Sequence, residues 1–499
     1  MKTIKEYLDY LKSLNLVTEY SIDDSTLSKE INRVTYDSRT VEKDTLFICK
    51  GKNFKDEYLL DSFNKGAVIY VSESVILKDI PYIIVNDMRE AITKISGFFH
   101  DFSWNDNLNM IGLTGTKGKS TTACFIKAII DCYAKDNNEK PCGFNSGIYN
   151  FDGVNKVASQ MTTPETIELH ETLSGCVKNG LKYHVMETSS QGLKYKRVED
   201  LKYKMCAFLT FGQDHISENE HPTLRDYFES KLKIFTQSEK AFINLGIEEP
   251  YLGEILESAK KNCKEVHTFG LLESAEYFGY DIRPTSKDVT FRVKYHGLDE
   301  ELTVSIGGFY NAINALCAIS ITDNLGIPFK YVKEALKDVK VPGRMEVLTF
   351  KNKRVDAIVD EAHNALSATT LLTSLRELYP NRKILIVFGA AGNRARNRRK
   401  DLGEVANKLA DKVILTENDP GFEKASDIAK EIAENIDPEK IVKYIDNRVE
   451  AINFACEYVT DDWVLLAMGM GAAQAQKHGA KFDPIPCDYD LIKSYIESH

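Results

Sequence analysis

Leu108-Asn-Met-Ile-Gly-Leu-Thr-Gly-Thr-Lys-Gly-Lys-Ser-Thr121 sets the architecture of this chain. A short apolar run of buried-strand type enters a glycine-rich turn, and an apolar-periodic helix follows from Ser120 to about Ala134. Gly115 and Gly118 allow the backbone close to a phosphate, and the loop amides with the helix N-terminus favour negative charge. Gly115, Thr116, Lys117, Gly118, Lys119, Ser120 and Thr121 are therefore candidate nucleotide contacts, with Lys119 reaching the β/γ-phosphates and the Ser120 hydroxyl on magnesium. The generic phosphate-loop pattern places a glycine where this chain has Leu113, so the match is a variant of it.

Further buried-strand candidates follow at Tyr183–Glu187, Cys206–Thr210 and Lys240–Asn244, alternating with helical patterns. That alternation predicts an α/β fold with a central, doubly wound, mainly parallel sheet. Before it, runs at Thr45–Cys49, Ala67–Val71 and Tyr82–Val85 predict a small N-terminal α/β domain. After Val341-Pro-Gly-Arg344, a hinge by composition, the pattern restarts with strands at Val355–Asp360, Lys383–Phe388, Lys412–Thr416 and Trp463–Ala467. A second nucleotide-fold-like domain is expected there. The expected domains are 1–104, 105–340 and 341–499, and 499 residues suit three.

The net charge of −10 argues against a general nucleic-acid binder, although a local basic pocket for anionic small molecules remains compatible with it. Ten scattered cysteines form no C-x-x-C pair, so neither a zinc site nor a redox motif is indicated. No apolar run is long enough to span a bilayer, and the N-terminal residues lack a signal peptide's apolar centre. A cytoplasmic monomer without membrane or nucleic-acid partners is expected.

Further motifs follow in a fixed order. They are Asp37-Ser-Arg39, Thr162-Thr-Pro-Glu-Thr166, Met186-Glu-Thr-Ser-Ser-Gln191, Asp214-His215, Tyr227-Phe-Glu-Ser-Lys231, Gly308 with Asn311 and Asn314, Val341-Pro-Gly-Arg-Met-Glu346, and Asp360-Glu-Ala-His363. With Thr114–Thr121 this series resembles the Mur ligase family over almost the whole chain. Within that family it is most like the members that add the third amino acid of the cell-wall peptide.

The resemblance implies an ATP-dependent ligase. ATP phosphorylates a substrate carboxylate, an amine attacks the acyl phosphate, and ADP and phosphate leave. It implies two magnesium ions, or manganese, held by Ser120, Glu187, His215 and Lys231, the last carbamylated. Lys119, Glu187, His215 and Lys231 are the implied catalytic set. Asn311, Asn314, Arg344, Asp360 and His363 would complete the nucleotide site. Ser38, Arg39, Thr162, Thr163, Ser189, Gln191 and Arg197 would hold the UDP-muramoyl-dipeptide. Arg394, Asn418 and Asp419 would hold the incoming amino acid.

Four departures concern the acceptor and the nucleotide. Glu417-Asn-Asp-Pro-Gly421 lacks the arginine that diaminopimelate-adding relatives carry, which favours lysine because a second carboxylate needs a partner. Acidic Glu417 and Asp419 suit an ammonium, or alternatively cap the following helix. Gly469-Met-Gly-Ala-Ala-Gln474 lacks the family's lysine and acid, Glu361 stands in the place of a tyrosine, and Thr210 in that of an asparagine. Arg398 and Arg399 sit where the family resembled has basic residues near the nucleotide. A paralogue joining another amino acid and a non-catalytic nucleotide-binding scaffold remain alternatives at this point.

Overall fold

A computed structural model of the chain describes residues 1–51, 54–214, 216–217, 220–393 and 396–499. His215 and Arg394, both expected site residues, lie outside the described residues. The chain forms two compact units: Met1–Gly112 with Lys140–Lys204 and Thr236–Glu239, and Leu113–Glu139 with Met205–Phe235 and Lys240–His499.

In the first unit a five-stranded sheet runs in the order Val17–Ser21, Tyr82–Val85, Ala67–Ser72, Thr45–Ile48, Arg33–Thr35. Its first pair is antiparallel and the others are parallel. Fully buried Leu46, Ile48, Ile69, Val71 and Ile83 pack on the helices Ile4–Ser13 and Met88–Phe99. The period-3.6 stripe Ile4, Tyr7, Leu8, Leu11 is what commits the first helix to this core. Elsewhere in the unit, Tyr183–Glu187 pairs in parallel with Gly143–Asn145, which continues into antiparallel Tyr149–Phe151 and Lys156–Ala158.

In the second unit a six-stranded sheet runs Glu346–Thr349, Val355–Asp360, Trp463–Met468, Lys383–Phe388, Lys412–Leu415, Ile441–Tyr444. Only the edge pair Glu346–Thr349 with Val355–Asp360 is antiparallel. Val355, Ala357, Val359, Leu385, Val387, Ile414, Leu465 and Ala467 close its core with no more than 1% of their surface exposed. These strands read as continuous apolar runs because both faces are covered, as parallel strands require.

The other strands of this unit include a parallel set, Ser238–Asn244, Glu265–Gly270 and Tyr277–Pro284. The set is extended by the antiparallel strands Val289–Tyr295 and Leu298–Val304. That antiparallel extension was not expected from the sequence. Val289–Tyr295 alternates buried with half-buried or exposed residues, and Leu298–Val304 buries only Leu302 and Val304, the pattern of a sheet with one wet face.

Candidate active site

The phosphate loop is held in shape by a residue just past the end of the neighbouring strand. The strand expected over Cys206–Thr210 runs Tyr203–Phe208 instead, which leaves Thr210 to bond the loop. The Thr116 amide donates to the Thr210 carbonyl at 2.8 Å and the Lys117 amide to the Thr210 hydroxyl at 2.8 Å. That hydroxyl donates back to the Lys117 carbonyl at 3.0 Å. Thr210, the departure from asparagine, therefore satisfies one donor and one acceptor of the loop with a single oxygen.

Gly115 (φ +145°) has no room for a Cβ, which would lie 3.0 Å from the Thr210 nitrogen. At Gly118 (φ +88°) a Cβ would lie 2.5 Å from Asn314 Oδ1. The helix Lys119–Asp136 starts at the lysine, and Ser120 and Thr121 are buried on its first turn. Lys119 Nζ curls back to donate to the Gly115 and Thr116 carbonyls, at 2.9 and 3.3 Å.

Asn314 is not a helix cap. It sits inside the helix Tyr310–Asn324, buried, accepting from Thr122 Oγ1 at 3.4 Å. Its amide donates to Asn311 Oδ1 at 2.9 Å, and Asn311 donates to the Gly307 carbonyl at 2.7 Å. The two asparagines thus buttress the loop at Gly118.

Around the loop lies a dense group of charges. Asp214, nearly fully buried, accepts from Arg398 NH2 at 2.7 Å, from Asn364 Nδ2 at 2.6 Å and from Lys117 Nζ at 3.4 Å. The half-buried His363 ring donates from Nδ1 to the Glu361 carbonyl, 2.8 Å away. Its pKa is pushed down to about 4, first by loss of water and then by Lys117 and Arg398.

Lys231, 1% exposed, donates to the Gly115 carbonyl at 2.8 Å and lies 4.5 Å from the Tyr227 ring centre. Burial, then Lys119, hold its amine well below the usual lysine range, with Asp214 opposing. Tyr227 in turn donates to Thr116 Oγ1 at 3.3 Å. Arg344 pairs with Glu361 and donates to Ser120 Oγ at 3.2 Å. Asp360 accepts from the Met345 and Ala362 amides at 2.9 and 2.8 Å, and burial raises its pKa. The second unit therefore brings together Gly115 to Thr121, Lys231, Asn311, Asn314, Arg344, Asp360 and His363.

Of the candidate acceptor residues, Asp419 lines a small cavity of about 140 Å³ in the second unit, with Gly392, Asn393, Gly421 and Lys477 among the other walls. The hairpin Ala475–His478 with Lys481–Pro484, which the sequence reading did not identify, lies across the Asp419–Gly421 loop. Gly421 donates to the Lys477 carbonyl at 2.9 Å, Gly479 to the Gly421 carbonyl at 2.7 Å, and the Lys477 amide to Asp419 Oδ1 at 2.8 Å. Glu417 bonds His478 at 3.0 Å. Neither acid caps the following helix, whose N-cap is Lys424 with no side-chain bond. Asn418 is buried, and its amide lies 2.5 Å from where a Cβ on Gly469 would stand.

In the first unit, Glu187 ends its strand with a 2% exposed carboxylate that accepts from the Gly147 amide at 2.9 Å. Thr163 Oγ1 donates to the Glu187 carbonyl and accepts from the Ser189 amide, both at 2.9 Å. Ser189 Oγ caps a short helix through the Gly192 amide at 3.0 Å. These two hydroxyls thus carry local structure. Thr162 and Gln191 are half-buried nearby in sequence.

Arg197 NH2 pairs with Glu165 at 2.9 Å and NH1 donates to the Thr163 carbonyl at 3.3 Å. Lys50, which sequence reasoning missed, pairs with the same Glu165 and lies 4.6 Å from the Tyr36 ring centre. It therefore joins the Asp37-Ser-Arg39 turn to the Thr162–Thr166 loop. In that turn Arg39 is folded onto Asp37 at 2.7 Å with its guanidinium exposed, and the Ser38 carbonyl accepts from Lys65 at 3.0 Å.

Fold and site together define a class: multidomain α/β proteins that bind nucleotide on a phosphate loop. Residues 113–322 match the Mur ligase middle domain and residues 343–471 the Mur ligase glutamate ligase domain. The chain is 35% identical over 490 residues to a UDP-N-acetylmuramoyl-L-alanyl-D-glutamate–L-lysine ligase of Enterococcus faecalis, covering 95% of this chain and 94% of the relative. It is 34% identical over 474 residues to the corresponding 2,6-diaminopimelate ligase of Caldanaerobacter subterraneus, covering 94% and 95%.

Among solved structures, a UDP-N-acetylmuramoyl-L-alanyl-D-glutamate–2,6-diaminopimelate ligase superposes with a TM-score of 0.65 at 22% identity, over 100% of this chain and 99% of the other. The MurF ligase of Thermotoga maritima in complex with ADP gives 0.63 at 17%, over 93% and 98%. This chain belongs to the Mur ligase family. No helix among the described residues is long and apolar enough to cross a membrane.

Proposed function

We propose that this protein is an ATP-dependent, ADP-forming acid–amino acid ligase. In this reading it adds the third amino acid, L-lysine, to UDP-N-acetylmuramoyl-L-alanyl-D-glutamate in peptidoglycan synthesis, as a cytoplasmic enzyme. The observation that carries the reading is the buried, low-pKa Lys231 on the carbonyl of Gly115, beside Lys119 and the Asp214 network. A nucleotide-binding scaffold has no use for a lysine buried against its phosphate loop with its amine held below the usual lysine range. Residues 1–104 serve the uridine nucleotide, 105–340 ATP and 341–499 the amino acid.

The physical obstacle in such a ligation is that two anions, nucleotide and carboxylate, must meet. Lys119, Lys117, Arg398 and the helix amides offset that repulsion. Arg344 of the hinge and His363 beyond it contribute as well. Oxygen donors suit magnesium, and the implied ligands supply them: a hydroxyl on Ser120, a carboxylate on Glu187, and a carbamate if Lys231, whose amine burial holds below the usual range, takes up carbon dioxide. His215 belongs to the same expected set. Two magnesium ions would supply charge neutralisation between phosphate and carboxylate oxygens.

Lysine is favoured as acceptor because Gly421 stands where diaminopimelate-adding relatives carry the arginine that a distal carboxylate requires. Asn418 and Asp419, with Arg394, serve the amino acid. Ser38, Arg39, Thr162, Thr163, Ser189, Gln191 and Arg197 serve the UDP-linked acid.

The test is phosphate release by the purified protein with ATP, magnesium and the UDP-muramoyl-dipeptide, offered lysine, ornithine, diaminopimelate and a wider amino-acid panel. Release with lysine supports the reading. Release only with another amino acid or acid identifies a paralogous ligase, and no amino-acid-dependent release with any donor leaves the scaffold.

A further inference from the structure

The Arg344 guanidinium donates to the Ser120 hydroxyl on the phosphate loop, pairs with the Glu361 carboxylate, and donates to the Gly343 carbonyl at 3.1 Å. Glu361 is the residue that replaces the family's tyrosine, and a phenol offers no full charge to a guanidinium. The backbone around it is fixed. The Glu361 amide donates to the Gly343 carbonyl at 3.0 Å, its carbonyl bonds His363 at 2.8 Å, and its Cβ lies 2.8 Å from where a Cβ on Gly471 would stand. Only the side chain is free to move, and its carboxylate is 40% exposed, so it has a path to water. The family's lysine two residues before Ala472 is here Met470, buried and uncharged. Arg344 is thus the cation paired with Glu361, with His363 and Lys117 acting on it less strongly.

We propose that Glu361 is a resident anion of the nucleotide site, a positioning residue that holds Arg344 on Ser120 until nucleotide phosphate takes the guanidinium from it. A hydroxyl that accepts from a guanidinium is a poor ligand for a divalent ion, because the two cations would lie a few ångströms apart. The exchange thus frees Ser120 for the metal at the same time as it gives Arg344 to phosphate. Glu361 competes with phosphate for one guanidinium, and its removal strengthens nucleotide binding. The proposal rests on the nucleotide reading above.

The experiment is equilibrium binding of ADP with magnesium to the full-length protein by calorimetry, for wild type, Glu361→Gln, Glu361→Tyr, Arg344→Ala and Arg344→Ala/Glu361→Gln, with melting curves for each. Glu361→Gln and Glu361→Tyr are expected to bind ADP roughly tenfold more tightly, the scale of one charge-assisted hydrogen bond no longer contested. In the Arg344→Ala background the same change is expected to do nothing measurable. An unchanged or weakened affinity in both Glu361 variants, or equal tightening with and without Arg344, overturns the proposal. A melting temperature that falls while affinity stays constant marks the pair as structural only and also overturns it. Failure of the wild type to bind ADP at all is a distinct result, which removes the nucleotide reading itself.

Discussion

Breaking the Arg448–Asp488 pair should destabilise the sheet that carries the acceptor loop far more than removing both partners. The pair is dry: Arg448 is 0% and Asp488 1% exposed at the side chain. Two parallel bonds join them, Nε to Oδ1 at 2.8 Å and NH2 to Oδ2 at 2.6 Å. NH2 also donates to the Met468 carbonyl at 3.1 Å, so the guanidinium ties the last helix to the end of the strand Trp463–Met468.

At an effective dielectric of 20 and about 4 Å between charges, the attraction is on the order of 4 kcal/mol. Loss of one partner leaves the other charge buried, at about 3–5 kcal/mol. Asp488→Asn keeps the shape and removes the charge, so it should cost about 3 kcal/mol or more. Arg448→Met with Asp488→Leu should cost less than about 2 kcal/mol, because no buried charge remains.

The two tryptophans provide the assay, since Trp104 lies in the first unit and Trp463 in the second, at the start of that same strand. In a Trp104→Phe background, urea unfolding followed by Trp463 fluorescence should shift its midpoint down by about 1.5 M for Asp488→Asn, taking a slope of about 2 kcal/mol/M. Additive effects of the two single replacements in the double variant would refute the reasoning, as would a single-variant cost below about 1 kcal/mol.

Three further outcomes are expected. Lys231→Ala should abolish amino-acid-dependent phosphate release, with partial return on adding short carboxylic acids; full activity without them would remove the lysine from the site. Gly421→Arg should lower stability by about 2 kcal/mol or more rather than recruit diaminopimelate. Its backbone is left-handed (φ +60°), and a Cβ there would lie 2.6 Å from Asn393 Oδ1. A stable variant that accepts diaminopimelate would contradict this.

The third outcome concerns acid. His170 is 0% exposed, its ring centre 4.4 Å from that of Trp104, and burial pushes its pKa down to about 3 from 6.5. Between those values the unfolded chain binds the extra proton, so stability is whole above pH 6.5 and falls by about 1.4 kcal/mol per pH unit below it, about 3 kcal/mol by pH 4.5. Trp104 fluorescence during denaturation should report this loss, and His170→Phe should flatten it. An unchanged slope would show that His170 does not carry the effect.

What the sequence made legible was local. Gly115, Gly118, Lys119 and Ser120 are adjacent in the chain and their chemistry is that of a loop and a helix start, so their roles follow from order alone. The apolar runs of the four inner strands of the six-stranded sheet were legible for the same reason, since burial on both faces leaves no alternation to misread. What stayed hidden depends on long-range closure. Asp214 meets Asn364 and Arg398, 150 and 184 residues away, and no pattern near Asp214 announces either. The hairpin at Ala475–Pro484 was unread because its short, mostly polar strands carry little apolar signal. Thr210 was read as a departure, and only the geometry gives it the work of holding Lys117. Lys50 was missed because a lone lysine before a glycine has no signature until its partner, Glu165, is seen.

The most direct measurement follows one oxygen atom. UDP-muramoyl-dipeptide carrying ¹⁸O in its glutamyl carboxylates is incubated with the protein, ATP, magnesium and lysine, and the released phosphate is analysed by mass spectrometry. Transfer of the γ-phosphoryl group to the carboxylate, followed by amine attack, predicts one ¹⁸O atom in each phosphate released. Phosphate free of label would mean that water, and not the carboxylate, receives the phosphoryl group, and the ligase reading would be wrong.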